Sequence, residues 1–470
     1  MNSANKVIRD PIHGDIIIEE KFVDVIDTPE FQRLRRINHL GAANLLFPAA
    51  EYTRFSHSLG TFHVMKLMIE HFQQIFKELD LEGELGVEEK NLALAAALLH
   101  DIGHGPLSHT FETLAKSIGD REKYLEHEDW SKEIITASGG QLKEVLENNF
   151  GADFPGQVAQ LISTGYRTEN PELLESGFKK VNILNLISSL ISSQLDADRM
   201  DYLLRDSFFT GVAYGEFDLA RLIKSLRLTV HGDNYYLCVP QKYLSTIEEY
   251  LLSRYHMYKE IYTHPFKREM ETILVKLFKR AKVLYKTDAL ETTDLPQVLI
   301  DLFKGQEIAV ESYLDFDDID IFKLLKNWKK SQDAVLSKLA AAFLDRKKFQ
   351  KLIQINKSQL AQLKEELNQL LADSNLETIE EGYFWLENQV EDSFYNELYK
   401  EEEGKIRMLA KDGSLKDFGA SSEIISRSHK QPDAKKQIYV SFELLTEEIN
   451  DARLVEEIKN KLSSWLPENQ

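Results

Sequence analysis

A single cysteine, Cys238, occurs in 470 residues. One thiol can build neither an intrachain disulfide framework nor a Cys-rich zinc module. It reads as an inert buried side chain, since Cys behaves mostly as a small hydrophobe, and its solitude suits a reducing compartment. Long apolar runs are also missing, and the amino terminus MNSANKVIRDPIHGDIII has no continuous h-region of a signal peptide. A soluble, cytoplasmic protein without membrane contact is the expectation. Internal repeats and low-complexity tracts are absent from the sequence as well. Cations are scarce: 57 Lys and Arg face 77 Asp and Glu, a formal charge of −20. Such a surface repels nucleic acid and anionic lipid, so an anionic substrate must be gathered by a local basic pocket.

What is present is an ordinary globular composition, 43% hydrophobic and 29% charged, on a chain too long for one typical core. Helical spacing dominates from His57 to about Phe278, in VMKLMIEHFQQIF, NLALAAALLHD, ILNLISSLISSQLDADRMDYLLRD and IEEYLLSRYHMYKEIY. Pro29 precedes FQRLRRI, where a first-turn proline is tolerated. The expected fold is mainly α, with a helical core in a domain over 1–284. LRLTVHGDNYYLCVP alternates around a Gly-Asp-Asn turn and predicts a small β-hairpin inserted between helices. A C-terminal α+β lobe over 285–470 follows, with an amphipathic helix in LIQINKSQLAQLKEELNQLLADS and a strand in KKQIYVSFELL. KDGSLKDFGASS reads as a flexible loop.

The strongest chemical signal is LALAAALLHDIGHGPLSHTFETL. An apolar helix ends in His100-Asp101, Gly103 and Gly105 break it, and Pro106 suits the first turn of a second helix. One imidazole beside one carboxylate suits Mn, Fe, Zn or Ni rather than calcium. Two residues cannot hold a catalytic ion, so partners are sought on other helices: His57 in RFSHSLG, and Asp196 or Asp198 in QLDADRMDYLLRD, which spacing leaves as alternatives. An ion held this way acidifies water into a nucleophile near neutral pH. His109 and Glu112 stand three apart, on one helix face, which makes His109 a candidate general acid. Arg199, Tyr202 and Asp206 form one stripe at helical spacing; Arg254, Tyr258 and Tyr262 form another.

DPIHG, IDTPEFQRLRRINHLG, FPAAEYTRFSHSLG, HDIGHGPLSHTFE, DADRMDYLLRD and RYHMYKEIYTH occur in this order between about Lys6 and Ala281. The set resembles the HD-superfamily deoxynucleoside triphosphate triphosphohydrolases, in the branch of the vertebrate SAM and HD domain-containing protein and its bacterial relatives. The resemblance implies an HD-domain helical core with His57, His100, Asp101 and Asp198 as metal ligands. It implies catalytic roles for His109 with Glu112, where the vertebrate protein has aspartate, and for His104 and His127 near the phosphates. Arg54, Arg199 and Arg254 would surround the triphosphate, Tyr202 and Asp206 the sugar, and Tyr262 the base; His39, in place of a glutamine, and Leu40 complete the substrate set. The implied reaction converts a dNTP to a deoxynucleoside and inorganic triphosphate, with Mg on the nucleotide phosphates.

The family also binds effector nucleotides between subunits of a homotetramer. Lys6, Val7, Asp27, Gln32 and Arg35 match a guanine-recognising site, with Arg9 replacing an asparagine, and Arg221 and Lys242 match a second effector site. GTP or dGTP and dNTP effectors are therefore implied. Alternative readings are an HD phosphohydrolase acting on nucleoside monophosphates or cyclic nucleotides, for which three arginines are excessive, and a non-enzymatic nucleotide sensor or nucleic-acid binder. The net charge opposes the binder, and the complete ligand quartet opposes the sensor.

Overall fold

A computed structural model describes residues 5–80, 85–119, 126–164, 181–231, 234–353, 355–371, 376, 378–390, 405–423 and 435–467. Its architecture is mainly helical with three small sheets. The Val87–Leu99 helix is buried at every position from Leu92 to Leu99, because LALAAALL is apolar all round and its alanines let neighbouring helices approach. Glu89 starts it by accepting the Gly86 N–H at 3.0 Å. Against it packs the Arg54–Glu78 helix, which buries Phe55, Leu59, Phe62, Met65, Ile69, Phe72 and Phe76 at three- and four-residue intervals. The Ala197–Thr210 helix crosses the same helix; Asp196 caps its start, and Gly211, at φ +76°, ends it. These three helices bring together the segments that carry the metal-ligand candidates.

At the amino end, β1 (Lys6–Asp10) and β2 (Gly14–Ile18) form an antiparallel pair. The expected hairpin is present as β3 (Arg227–His231) and β4 (Asn234–Pro240), registered from Arg227↔Cys238 to His231↔Asn234. Gly232 and Asp233 of its turn lie outside the described residues. Cys238 is buried, as expected for an inert thiol. The other strands come from the C-terminal part: β5 (Gln350–Lys351), β6 (Trp385–Val390), β7 (Arg407–Leu409), β8 (Leu415–Asp417) and β9 (Lys435–Val440). They complete a β3-β4-β7-β8 sheet and a β5-β9-β6 sheet. The predicted amphipathic helix spans Lys357–Leu371 and buries Leu360, Leu363, Leu367 and Leu371.

KDGSLKDFGASS is not a plain loop. A turn at Gly413, φ +82°, leads into β8, and Asp417 then caps a short Phe418–Ser421 helix with Phe418 buried. Its strand is three residues long and partly exposed at a sheet edge, so its polar composition concealed it. The apolar core runs without a break across residue 285; a division there is retained as a functional proposal. Among the described residues, no helix is long and apolar enough to cross a membrane.

One buried carboxylate joins the two parts. Glu269, on the Pro265–Lys286 helix, is 3% exposed and accepts the Phe349 N–H at 2.6 Å. Burial pushes its pKa from 4.5 up to about 7. The folded protein holds this proton more tightly than the unfolded chain, so the stability contribution is complete below the unfolded value and is lost as pH rises through the folded one. Glu269→Gln keeps an acceptor for Phe349. It should raise stability by about 1–3 kcal/mol at pH 8 and change little at pH 4. Urea melts at the two pH values check this; an equal effect at both would remove burial as the cause.

Candidate metal centre and substrate cleft

His57 lies in the first turn of the Arg54–Glu78 helix, and His100 immediately follows the Val87–Leu99 helix. Each uses Nδ1 on a protein acceptor: His57 on Asp201 Oδ2 at 2.7 Å, His100 on the Ala97 carbonyl at 2.9 Å. Both therefore present Nε2 to a common point, an arrangement that fixes tautomer and ring orientation in metal-binding histidines. Asp198 Oδ1 lies 2.9 Å from His57 Nε2 and 3.4 Å from His100 Nε2. Asp101 closes the group, with Oδ2 at 3.5 Å from His57 Nε2 and Oδ1 at 3.4 Å from His100 Nε2. Among the described residues, His100 Nε2 is buried without a hydrogen-bond partner, so the set fits a divalent transition ion. Burial opposes charge on His57, yet hydrogen bonds to Asp198 and Asp201 overcome it and lift its pKa to about 10.

The alternative left open by spacing is divided by the helix start. Asp196 Oδ1 accepts the Arg199 N–H at 2.7 Å, and Oδ2 takes the Ser193 N–H at 2.9 Å and Arg199 Nη1 at 2.6 Å. It is used as a cap, whereas Asp198, in the first turn, meets both histidines. Behind them, Asp201 was not singled out from sequence. It is fully buried and accepts from His13 at 2.6 Å, His57 at 2.7 Å and two Arg205 nitrogens at 2.9 Å; Arg205 continues to Asp10 at 2.8 Å. The signal was available: Asp201 stands three after Asp198, and Asp10 and His13 belong to DPIHG. Gly60 makes room for this network, since a Cβ there would lie 1.9 Å from Asp201 Oδ1. Gly60→Ala should cost about 2–3 kcal/mol through overpacking and lower metal content; an unchanged melting temperature with full metal would contradict that reading.

His104, His109, Glu112 and His127 form a second group. Glu112 Oε1 is nearest to His127 Nδ1, at 2.8 Å, and lies 3.3 Å from His109 Nδ1 and 3.6 Å from His104 Nδ1. The carboxylate expected to orient His109 is thus shared by three imidazoles, and His104 and His127 stack with centroids 3.9 Å apart. Burial opposes charge on Glu112, but hydrogen bonds from His109 and His127 hold its carboxyl far below the usual range. The second helix begins at His109, not at Pro106. Between them Leu107 and Ser108 adopt φ +56° and +58°, conformations that non-glycine residues rarely take. Gly103 is required by close approach, because a Cβ there would sit 2.1 Å from the His127 carbonyl.

These groups open into one cleft of about 440 Å³, within the ordinary range of small-molecule sites. Of the residues expected around a substrate, His39, Leu40, Arg54, Arg199, Tyr202, Asp206 and Tyr262 line it. Arg254 does not: it is fully buried, its guanidinium 5.6 Å from the Tyr258 ring centroid. The stripe itself persists, since Tyr258 in turn meets Tyr262 with ring centroids 5.1 Å apart, across a helix end where the α-helix to Met257 passes into a Tyr258–Tyr262 π turn. Arg54 bonds Asp101 and, at 2.9 Å, Ser108 Oγ, while Arg199 bonds Ser193 and Asp196. Asp206 is buried and accepts from Tyr52 and, at 2.6 Å, from Tyr262; burial pushes its pKa up to about 7. Tyr52, Lys267 and Glu271 carried no spacing signal, yet Tyr52 supports Asp206 and the other two line the cleft.

The residues expected at effector sites fall into two groups. Lys6 pairs with Asp27 at 3.8 Å, Gln32 donates to the Ile26 carbonyl at 2.8 Å, and Arg35 donates to Gln32 at 2.8 Å while lying over Phe55. Val7 is exposed beside them, and Arg9 pairs with Asp15 rather than joining the group. Arg221 and Lys242 both approach the Tyr243 ring, at 6.0 and 5.1 Å.

Residues 54–175 match the HD domain family. The chain is 33% identical to the uncharacterized protein YwfO of Bacillus subtilis over 94% of each chain. It is 28% identical to the deoxynucleoside triphosphate triphosphohydrolase SAMHD1 of Gallus gallus over 60% of this chain and 46% of that one, so it spans about half the length of that relative. Among solved structures, a phosphohydrolase from Bacteroides thetaiotaomicron superposes with a TM-score of 0.71 at 28% identity, covering 93% of this chain and 99% of the other. With the helical architecture and the His/Asp cluster, these likenesses place the chain in the HD superfamily, as a relative of its phosphohydrolases and deoxynucleoside triphosphate triphosphohydrolases.

Proposed function

We propose that the protein hydrolyses dNTPs to deoxynucleosides and inorganic triphosphate, with His57, His100, Asp101 and Asp198 holding a divalent transition ion. The carrying observation is the meeting of this quartet with the His104, His109, Glu112 and His127 group in one cleft that Arg54 and Arg199 also line. The ion, when bound, supplies Lewis acidity toward water and phosphate oxygen. Arg54 and Arg199 neutralise the phosphate chain, which also carries Mg; His104 and His127 contact it, and His109 delivers a proton to the departing 5′-oxygen. The Tyr202 ring packs against the sugar where a 2′-hydroxyl would stand, Asp206 and His39 take its polar edge, and Leu40 and Tyr262 hold the base. Arg254, with its guanidinium 5.6 Å from the Tyr258 ring, supports this wall from behind.

GTP or dGTP at the Lys6, Val7, Asp27, Gln32 and Arg35 group, with a dNTP near Arg221 and Lys242, would activate a cytoplasmic homotetramer. Chromatography of the products formed from each dNTP, with and without GTP, tests the proposal. Inorganic triphosphate and deoxynucleoside in equal amounts are expected. Stepwise orthophosphate would reassign the chain to another HD phosphohydrolase reaction, and RNA binding without turnover would reassign it to a sensor or nucleic-acid binder.

A further inference from the structure

The turn that presents His109 is held from outside the HD-matching residues. Asp318 opens the Asp318–Trp328 helix and is 5% exposed. Its two oxygens accept backbone donors from two separate segments of the chain: Leu107 N–H to Oδ1 at 2.7 Å and Asn38 N–H to Oδ2 at 2.9 Å. Asn38 precedes His39 and Leu40, and Leu107 precedes Ser108 and His109, so one carboxylate ties two cleft-lining segments together. Ser108 Oγ closes the ring by donating to the Asn38 carbonyl at 2.7 Å.

The neighbouring contacts serve the same segment. Tyr313 Oη donates to the Gly103 carbonyl at 2.7 Å, and its ring stacks on Trp130 at 3.9 Å and 6°. Arg33 donates to the His104 carbonyl at 2.9 Å and to the Phe316 carbonyl at 3.0 Å. Residues 103–108, which include the left-handed Leu107 and Ser108, are thus tied at both ends to residues 313–318. Two consecutive non-glycine residues at positive φ persist only where surrounding contacts over-determine them.

The geometry points to Asp318 as a positioning residue, with Tyr313 as its second anchor: together they hold the Leu107–Ser108 turn so that His109 faces the metal-ligand quartet. This gives residues 313–318, beyond the HD-matching segment, a role in the active site, and it rests on the hydrolase reading above. Asparagine at 318 keeps one acceptor and turns an N–H₂ toward the other backbone donor, so one side of the clamp is lost.

The test uses the full chain. Asp318→Asn should lower kcat by about 10–100-fold, leave KM within about threefold and metal content at the wild-type level, and speed amide exchange in the peptide covering residues 103–109. Tyr313→Phe, which keeps the stack and removes one bond, should show the same pattern at a smaller amplitude, and it decides the matter if Asp318→Asn does not fold. A lower melting temperature with wild-type kcat and unchanged exchange would make both residues merely structural and overturn the inference. Wild-type protein that turns over no nucleotide would sink the hydrolase reading instead, with the exchange comparison still reporting whether the clamp exists.

Discussion

Asp101→Ala is expected to purify without stoichiometric metal and without turnover, the loss exceeding the roughly 10–100-fold that follows removal of a partner outside the ligand set. Asp101 is the residue on which the two histidine groups meet. Its oxygens lie 3.4 Å from His100, 3.5 Å from His57 and 3.3 Å from His104, and it also pairs with Arg54. Burial opposes its charge, but Arg54 and the histidines hold its carboxyl well below the ordinary range, so it is ionised and ready to ligate near neutral pH. Alanine removes a ligand and also leaves the Arg54 guanidinium buried without that carboxylate, a loss of about 3–5 kcal/mol where a buried pair is broken. Metal analysis beside a melting curve separates the two effects. Full metal content in a folded Asp101→Ala protein would exclude Asp101 as a ligand.

His109→Ala is expected to behave differently: wild-type metal content, nucleotide binding and melting temperature, with kcat down about 10²–10⁴-fold, the usual worth of a positioned general acid. The His109 side chain is 71% exposed, so its removal opens no cavity. Glu112 keeps His127 as its partner at 2.8 Å, so the remaining group is not dismantled. Substrate binding and kcat measured together decide the role. A His109→Ala enzyme with full kcat would pass the proton delivery to His104 or His127; a rise in KM alone would make His109 a binding residue.

How much was legible depended on the range of the interaction. The histidine-rich HD string lies within ten residues and announces itself, because ligand residues crowd a tight glycine-containing turn. The LALAAALL helix was equally plain, since its apolar run is continuous. Asp201 was half legible: it stands three after Asp198, but the His57 it orients lies 144 residues away, and a buried acid looks like any acid until its partners are known. Asp318 was more deeply hidden, for it acts on two backbone N–H groups, which have no side-chain identity for a pattern to reveal. Arg254 keeps the contact with Tyr258 that its spacing implies, but a period cannot tell which side chain of a stripe is buried and which lines the cleft.

By itself, then, the sequence determined a helical protein with an anionic surface, one unpaired thiol and a histidine-aspartate metal motif, all properties set by composition and short-range periodicity. Only the tertiary structure brings Asp198 against both histidines while Asp196 caps, makes one glutamate serve three histidines, and sets a carboxylate beyond the HD-matching residues against the His109 turn. Those choices rest on which oxygens and nitrogens remain uncommitted once helices from distant parts of the chain have packed, and no local spacing encodes that.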